Sequence, residues 1–451
     1  AHDFSLGIGS TVGFGMRLVV DGWDKGWWPP DIDPAFWGDI VISPGFCYNY
    51  TESVWIDPPA TGDWVIWDNI GCSDAVITLN GNLSIYGILG FGHVTLRMNS
   101  TFMGQYGIEV NTGGAFHVAG GVGAPSVITN GDNATAYYTF QVRSGALFKM
   151  TNSELHNAGF AWNLPDYSWA GLWINTDHVV MYNNLISNNH FIGILLYHSG
   201  GHYIFNNTIT GNDWHGIWGE NSPNNLIENN KIFSNGQDGI ALSSAPNNQI
   251  YDNTIYKNGL DGISLSSASG SKIYNNTVYS NGRSGIVVSS GTSITFNNAS
   301  SNGDDGIVVS SSSGSLIDNN IANGNGDNGI VVSSSASSRI SDNAANKNKG
   351  GNGIAVGSSP FSDITNNTAN GNGNNGIGVS SSESSNIWNN TANYNGDDGI
   401  VVSSSPSIEI WDNIANYNFV EVDIGTGIVV DSSPSASVTN NEANSNWRGI
   451  H

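Results

Sequence analysis

Asn253-Thr254-Ile255-Tyr256-Lys257-Asn258-Gly259-Leu260-Asp261-Gly262-Ile263-Ser264-Leu265-Ser266-Ser267 is one unit of the repeat that decides the fold. It sets an Asn, a second Asn five residues later, and then Gly-Ile-x-Leu-Ser-Ser. The Asn pair recurs twelve times. The first set is Asn184, Asn207, Asn230, Asn253, Asn276, Asn297, Asn320, Asn343, Asn367, Asn390, Asn413 and Asn441. Most steps are 23 residues, with single steps of 21, 24 and 28. A period of that length means a stack of similar supersecondary units. Apolar runs of three to five residues, rich in Ile and Val and bounded by Gly, Asn, Asp and Ser, are strand-and-turn chemistry. No such unit can bury its own apolar side, so each strand must pair with the same strand one period later. Equivalent residues then lie ~4.8 Å apart. A buried Asn at a bend is satisfied by the Asn above and below it, and the columns become ladders. The expected fold is all-β, a single-stranded right-handed parallel β-helix.

The position two residues after the first Asn runs Ile186, Ile209, Ile232, Ile255, Val278, then Ala299, Ala322, Ala345, Ala369, Ala392, Ala415 and Ala443. Smaller side chains predict a cross-section that narrows toward the C-terminus. Three regions follow. Residues 1–40 are irregular and rich in Gly and Trp; 41–175 form irregular coils with long loops; 176–451 form the regular array. Within the second region, Asn82-Leu83-Ser84-Ile85, Ala115-Phe116-His117-Val118 and Ala146-Leu147-Phe148-Lys149 read as equivalent strands.

Lys and Arg total 13 against 37 Asp and Glu, a net charge of −24. Nucleic acid and anionic membranes are poor partners for such a chain; cations and neutral sugars suit it better. No apolar stretch approaches the ~18 residues of a membrane helix. The start at Ala1 fits a secreted protein after removal of its leader. Cys47 and Cys72, the two cysteines, read as a disulfide. Asn-x-Ser/Thr sequons at Asn49, Asn82, Asn99, Asn133, Asn206, Asn275, Asn298, Asn366 and Asn389 permit N-glycosylation.

Ile204-Phe205-Asn206-Asn207-Thr208-Ile209 and Leu226-Ile227-Glu228-Asn229-Asn230-Lys231-Ile232 resemble the parallel β-helix repeats of the pectate-lyase superfamily. The texture is similar to NosD-like proteins, mannuronan C5-epimerases and archaeal surface proteins. The resemblance covers about three fifths of the chain, and it implies a fold rather than an activity. The epimerase signature follows Tyr-Gly with Asp-Pro-His, whereas Tyr106-Gly107-Ile108 continues into Glu109-Val110-Asn111. Of the polygalacturonase set, Asn175-Thr176-Asp177 matches the first part and Asp304-Asp305 or Asp397-Asp398 the second; Gly-His-Gly and Arg-Ile-Lys are missing. With every tested signature incomplete, the sequence leans away from an enzyme.

Other clusters have both a chemical and a packing reading. His190, His198, His202 and His215 fall in the first two regular coils, beside Trp214 and Trp218. His190 and Asp213 hold equivalent positions, as a general base or metal pair would. The tryptophans would offer sugars a stacking surface; the alternative is a polar patch at a junction of coil types. Asp238, Asp261, Asp304, Asp305, Asp327, Asp397 and Asp398 precede Gly-Ile, and stacked carboxylates would be relieved by Ca²⁺. Asp before Gly is also a good turn former. The chain stops as a twelfth Gly-Ile strand of the array begins, and Phe4–Val20 reads as a β-prone segment without a partner. Those ends predict a secreted cell-surface protein that polymerises head to tail. The competing expectations are an extracellular carbohydrate-active or carbohydrate-binding protein with its groove near His190 to Trp218, or a monomer capped by its own residues 1–40.

Overall fold

A computed structural model describes residues 47–451, apart from 122, 132–134, 161–169 and 419–424. These residues form one unit, Gly45–His451 by its contacts. It is a parallel β-solenoid whose coils lay strands in three sheets, the second of them only as far as Asn298–Ser300. In the coil that starts at Tyr203, Tyr203–Phe205 lies in sheet I, Thr208–Thr210 in sheet II and Ile217–Glu220 in sheet III. Each strand pairs in parallel with its equivalent in the next coil, as Ile204 with Ile227, Ile209 with Ile232 and Ile217 with Ile240. Those isoleucines are fully buried and form one core along the whole unit.

The coil length changes where the sequence changes texture. Lys149 pairs with Val180, 31 residues on, and Val180 pairs with Tyr203, 23 residues on. In the irregular coils one expectation fails. Ala115–Ala119 and Leu147–Thr151 do pair with each other in sheet I. Leu83–Ile85 belongs instead to sheet III, between Trp64–Ile66 and Ile108–Val110. The alternating apolar residues of the three segments look alike, and a long loop moves the phase from one sheet to another. Cys47 pairs directly with Cys72 in an antiparallel contact and forms the disulfide with it. With Val54–Ile56, this segment makes a hairpin over the first strand of sheet I. The expected donor segment at 4–20, and the rest of 1–40, lie outside the described residues.

Both Asn columns are continuous ladders. In the first, Oδ1 of Asn253 accepts the backbone N–H of Asn230 at 2.9 Å and its Nδ2–H at 3.0 Å. Asn253 Nδ2 donates to the Ile227 carbonyl at 2.9 Å and to Asn276 Oδ1 at 3.0 Å. The second ladder repeats this, as in Asn235 to Asn258 and Asn258 to Asn281, both 3.0 Å. In the first ladder each Nδ2 of Asn184 through Asn413 has at least two acceptors, whereas in the second Asn189 Nδ2 is buried without a partner. Satisfied rungs are what make burying a polar column tolerable.

Sheet II behaves in a way the Ala column alone does not explain. Its three-residue strands end at Asn298–Ser300, and single bridges such as Ile321 with Ala344 follow. Where the third residue of the strand is Phe233, Tyr256 or Tyr279, the strand holds. Where it is Asn323, Asn346, Asn370 or Asn393, the side-chain oxygen takes the next coil's N–H. Asn346 donates to Asn323 Oδ1 at 2.7 Å and Asn370 to Asn346 Oδ1 at 2.8 Å. A side-chain ladder has displaced a backbone one.

Candidate functional site

The histidines do not converge on one centre. His202 is 1% exposed and stands at the head of a turn column that continues through Asn225 and Asn248. Its Nδ1 accepts the Val179 N–H at 3.3 Å and its Nε2 bonds Ser199 Oγ at 3.1 Å. Burial lowers its pKa to about 4. A neutral, doubly bonded ring in that place is structural. His198 bonds Asn221 across one rung at 3.1 Å. His190 does meet Asp213, Nδ1 to Oδ2 at 2.5 Å, with the ring stacked on Tyr137 at 4.9 Å. The expected rung pairing of His190 and Asp213 is therefore present at the surface. Trp214 and Trp218 are half-buried and pack with Phe191 and Tyr197 against Trp173, Ile192 and Leu195.

The acidic residues of the Gly-Ile turn separate into two columns. Asp238, Asp261, Asp305 and Asp398 occupy the position just before Gly, where Ser284, Asn328, Asn352 and Asn375 interrupt them. Each oxygen caps the next coil's backbone: Asp238 Oδ1 accepts the Asp261 N–H at 2.8 Å, and Asp305 Oδ1 the Asn328 N–H at 2.8 Å. Asp304, Asp327 and Asp397 sit one residue earlier, in a separate column. Among the described residues no three His, Cys, Asp or Glu side chains gather in a metal-binding group. The geometry favours the turn-capping role over Ca²⁺.

His215 heads the capping column. Its Nδ1 accepts the Asp238 N–H at 3.3 Å, so the 3.4 Å approach of Asp238 Oδ2 to the same nitrogen is not an ion pair. Burial lowers His215 to about 4 and raises Asp238 to about 6; burial likewise raises Asp261. For Asp238 the folded chain keeps a proton that the unfolded chain releases near 3.8. Its ionisation therefore removes stability as pH rises from about 4 to 6, up to ~3 kcal/mol. Asn328 fills the same position with the same cap, to the Asn352 N–H at 2.8 Å. Asp238→Asn is expected to raise Tm at pH 7.5 and to leave it nearly unchanged at pH 4, as thermal melts at the two pH values will show. His215 opposes this trend in the parent, since its neutral form loses stability as pH falls from about 6.5 to 4.

The sequons differ in access. Asn49 is 3% exposed with Nδ2 on Asp68 at 3.0 Å, a position that excludes a glycan on the folded chain. Asn133 lies outside the described residues. Asn82 Nδ2 bonds Asp63 and Asn99 Nδ2 bonds Asn80. Asn298 Oδ1 accepts Ser300 Oγ–H at 2.5 Å. Asn206, Asn275, Asn366 and Asn389 are exposed at left-handed bends just outside the first ladder, each bonded to a neighbouring rung.

One cleft among the described residues lies on the outer face of sheet III in the irregular coils. It holds about 260 Å³ and is lined by Asp63, Asn82, Ser84, Tyr106, Glu109 and Gln141, among others. The strand register explains the assembly. Val65, Ser84, Glu109, Gln141 and Trp173 are successive partners in one column that points away from the main core, with Gln141 and Trp173 buried at its far end. The residues that follow each strand, Trp67, Tyr86, Asn111 and Arg143, make the flank beside it. Trp67 and Tyr86 stack at 4.2 Å with planes 12° apart, and Trp67 is 68% exposed. Arg143 Nε binds Glu109 Oε1 at 2.6 Å and its guanidinium lies 5.4 Å from the Trp173 ring. Asp63 Oδ1 accepts both the N–H and the Nδ2–H of Asn82, at 2.8 and 3.0 Å. Sequence reading met this site only as an incomplete motif at Tyr106–Asn111. The signal it missed was the alternation of polar outward residues with buried Leu83, Ile85, Ile108 and Val110.

A family model described as "Right handed beta helix region" matches residues 170–320 and 305–451. No curated protein matches the chain in sequence. Among solved structures, the A-module of mannuronan C-5 epimerase AlgE4 of Azotobacter vinelandii is similar, at 15% identity, over 81% of this chain and 88% of its own, with a TM-score of 0.39. A double mutant of the periplasmic alginate epimerase AlgG aligns at 14% identity over 83% and 85%, with a TM-score of 0.40. The Dettilon tailspike protein aligns at 15% identity over 82% and 62%, with a TM-score of 0.38. Among the described residues, no helix is long and apolar enough to cross a membrane.

Proposed function

The chain belongs to the right-handed β-helix family, and from that premise we propose that it is an extracellular polysaccharide-binding protein. Its binding face is the sheet III cleft between Asp63 and Arg143. The observation that carries this reading is the exposed Trp67–Tyr86 ring stack beside a row of carboxylate, amide and guanidinium groups on consecutive rungs. Ring faces take the apolar side of a sugar, while fixed polar groups read its hydroxyls. Both carboxylates are held as acceptors, Asp63 by Asn82 and Glu109 by Arg143. That suits gripping hydroxyl groups rather than donating a proton to a glycosidic oxygen, the task of a general acid. With a net charge of −24, the preferred ligand is a neutral polysaccharide. The Cys47–Cys72 disulfide fits an oxidising compartment.

Trp67→Ala and Glu109→Gln are expected to weaken binding of a neutral polysaccharide at least tenfold. Trp388→Ala, on sheet I near the far end of the unit, is expected to leave it unchanged. Affinity electrophoresis against a panel of neutral and acidic polysaccharides measures this. Equal loss in all three variants, or none in any, removes the cleft from the account.

Head-to-tail assembly into a filament or layer remains a second proposal. Against a symmetric joint, the hairpin Cys47–Ile56 covers the first strand of sheet I. Concentration-dependent light scattering of the whole chain separates the two: growing particles support assembly, and a constant monomer mass rejects it.

A further inference from the structure

We propose that the outer face of sheet I carries a second, independent site, an aromatic slot around Glu228 that binds a guanidinium or ammonium group. Tyr182, Phe205, Glu228, Tyr251 and Tyr274 are successive register partners on that face. Four are aromatic and the middle one is a carboxylate. On one side Tyr182 stacks on Phe205 at 4.9 Å, and Tyr203 stacks on Phe205 at 4.3 Å. On the other, Tyr251 stacks on Tyr274 at 4.6 Å with planes 5° apart. Glu228 interrupts the stack for one rung.

The rings and the carboxylate are tied together. Tyr203 donates its hydroxyl to Glu228 Oε2 at 3.1 Å, and Tyr251 is the register partner of Glu228 on the next coil. The carboxylate raises the pKa of both phenols, after the larger effect of burial. Both therefore stay protonated, and the Tyr203 hydroxyl holds Glu228 in place. Among the described residues no Lys, Arg or His forms an ion pair with Glu228. Of the nearby cations, Lys149 lies 6.0 Å from the Tyr182 ring at the far end of the same column, Lys231 lies 5.2 Å from Phe233 on sheet II, and Lys272 is exposed on sheet I two residues before Tyr274.

The spacing suits a cation. Phe205 and Tyr251 are two rungs apart, ~9.6 Å, so a group held at the Glu228 rung lies ~4.8 Å from each neighbouring rung. That is inside the ≈ 6 Å within which a cation is attracted to a ring face. A carboxylate between two ring systems adds the charge partner, and a guanidinium is the best match because it is planar and weakly hydrated. A net charge of −24 raises the local concentration of any such ligand. The slot is on a different sheet from the cleft, so this site stands or falls separately from polysaccharide binding.

The test is calorimetric titration of the intact chain with agmatine, tetramethylammonium and a tetra-arginine peptide, with a neutral oligosaccharide as control. Saturable binding of the cations is expected, with agmatine tighter than tetramethylammonium. Tight agmatine binding marks a small-molecule site, and a much tighter peptide marks a protein partner. Glu228→Gln keeps an acceptor for the Tyr203 hydroxyl and is expected to weaken binding at least tenfold, and Tyr251→Leu likewise. Glu409→Gln, on the same face several coils away, removes one charge and is expected to change nothing. Equal loss in Glu228→Gln and Glu409→Gln would mean a diffuse field and no slot. No saturation by any cation, or binding of the neutral sugar in its place, overturns the proposal.

Discussion

Asn253→Leu is expected to cost at least ~4 kcal/mol, because it strands several buried groups at once. Asn230 loses the acceptor of its N–H and its Nδ2–H, and the Ile227 carbonyl and Asn276 Oδ1 lose a donor. Asn253→Asp separates the two halves of that loss. It keeps the acceptor but turns a carboxylate oxygen toward three others, those of Ile227, Tyr251 and Asn276, at a buried position. The folded-state pKa of such an acid is raised, so the variant should be least stable at neutral pH and recover part of the loss as pH falls through that pKa. Each coil draws stability from its neighbours. The damage should therefore appear as lost hydrogen-exchange protection centred on residues 230–276, with distant coils still protected. Uniform protection after either change would mean the ladder is ornamental.

Gly376→Ala tests why the Gly of Gly-Ile is present in nearly every coil. An added Cβ would meet Asn395 Nδ2 at 2.6 Å, Ala392 Cβ at 2.7 Å and the Gly399 carbonyl at 2.7 Å. None of these is the loose end of a flexible side chain. The strand would have to leave the second ladder, at a cost of ~3 kcal/mol or more. Gly314→Ala is the comparison. It has open space but a φ of +71°, so backbone strain alone should cost ~1 kcal/mol. Urea titration of both variants gives the ordering, and a reversed ordering would contradict the packing described for this turn.

The repeat was readable because a ladder demands the same residue at every rung: one Asn tells little, but a dozen at matched spacing imply stacked coils. The Gly-Ile turn was readable for the same reason. The irregular coils were not, because phase there is carried by loops. Leu83–Ile85 alternates like Ala115–Ala119 and yet belongs to another sheet. The candidate cleft lies in those coils, so its residues share no period and its partners, Asp63 and Arg143 among them, are far apart in sequence. The change in sheet II was half visible. The sequence showed Ala replacing Ile, while the third-position Asn column that takes the backbone N–H groups was not recognised as a ladder. His202 and His215 looked chemical because four histidines fall in the first two regular coils beside Trp214 and Trp218, and a sequence does not show that both sit at the head of a buried capping column.

The most direct measurement is a crystal structure of the chain with a bound oligosaccharide drawn from the tightest polysaccharide of the panel. The account predicts sugar rings against Trp67 and Tyr86, with hydroxyls reaching Glu109 and Arg143 on the outer face of sheet III. Sugar seated beside Trp214 and Trp218, or on sheet I or sheet II, with the cleft between Asp63 and Arg143 empty, would contradict it.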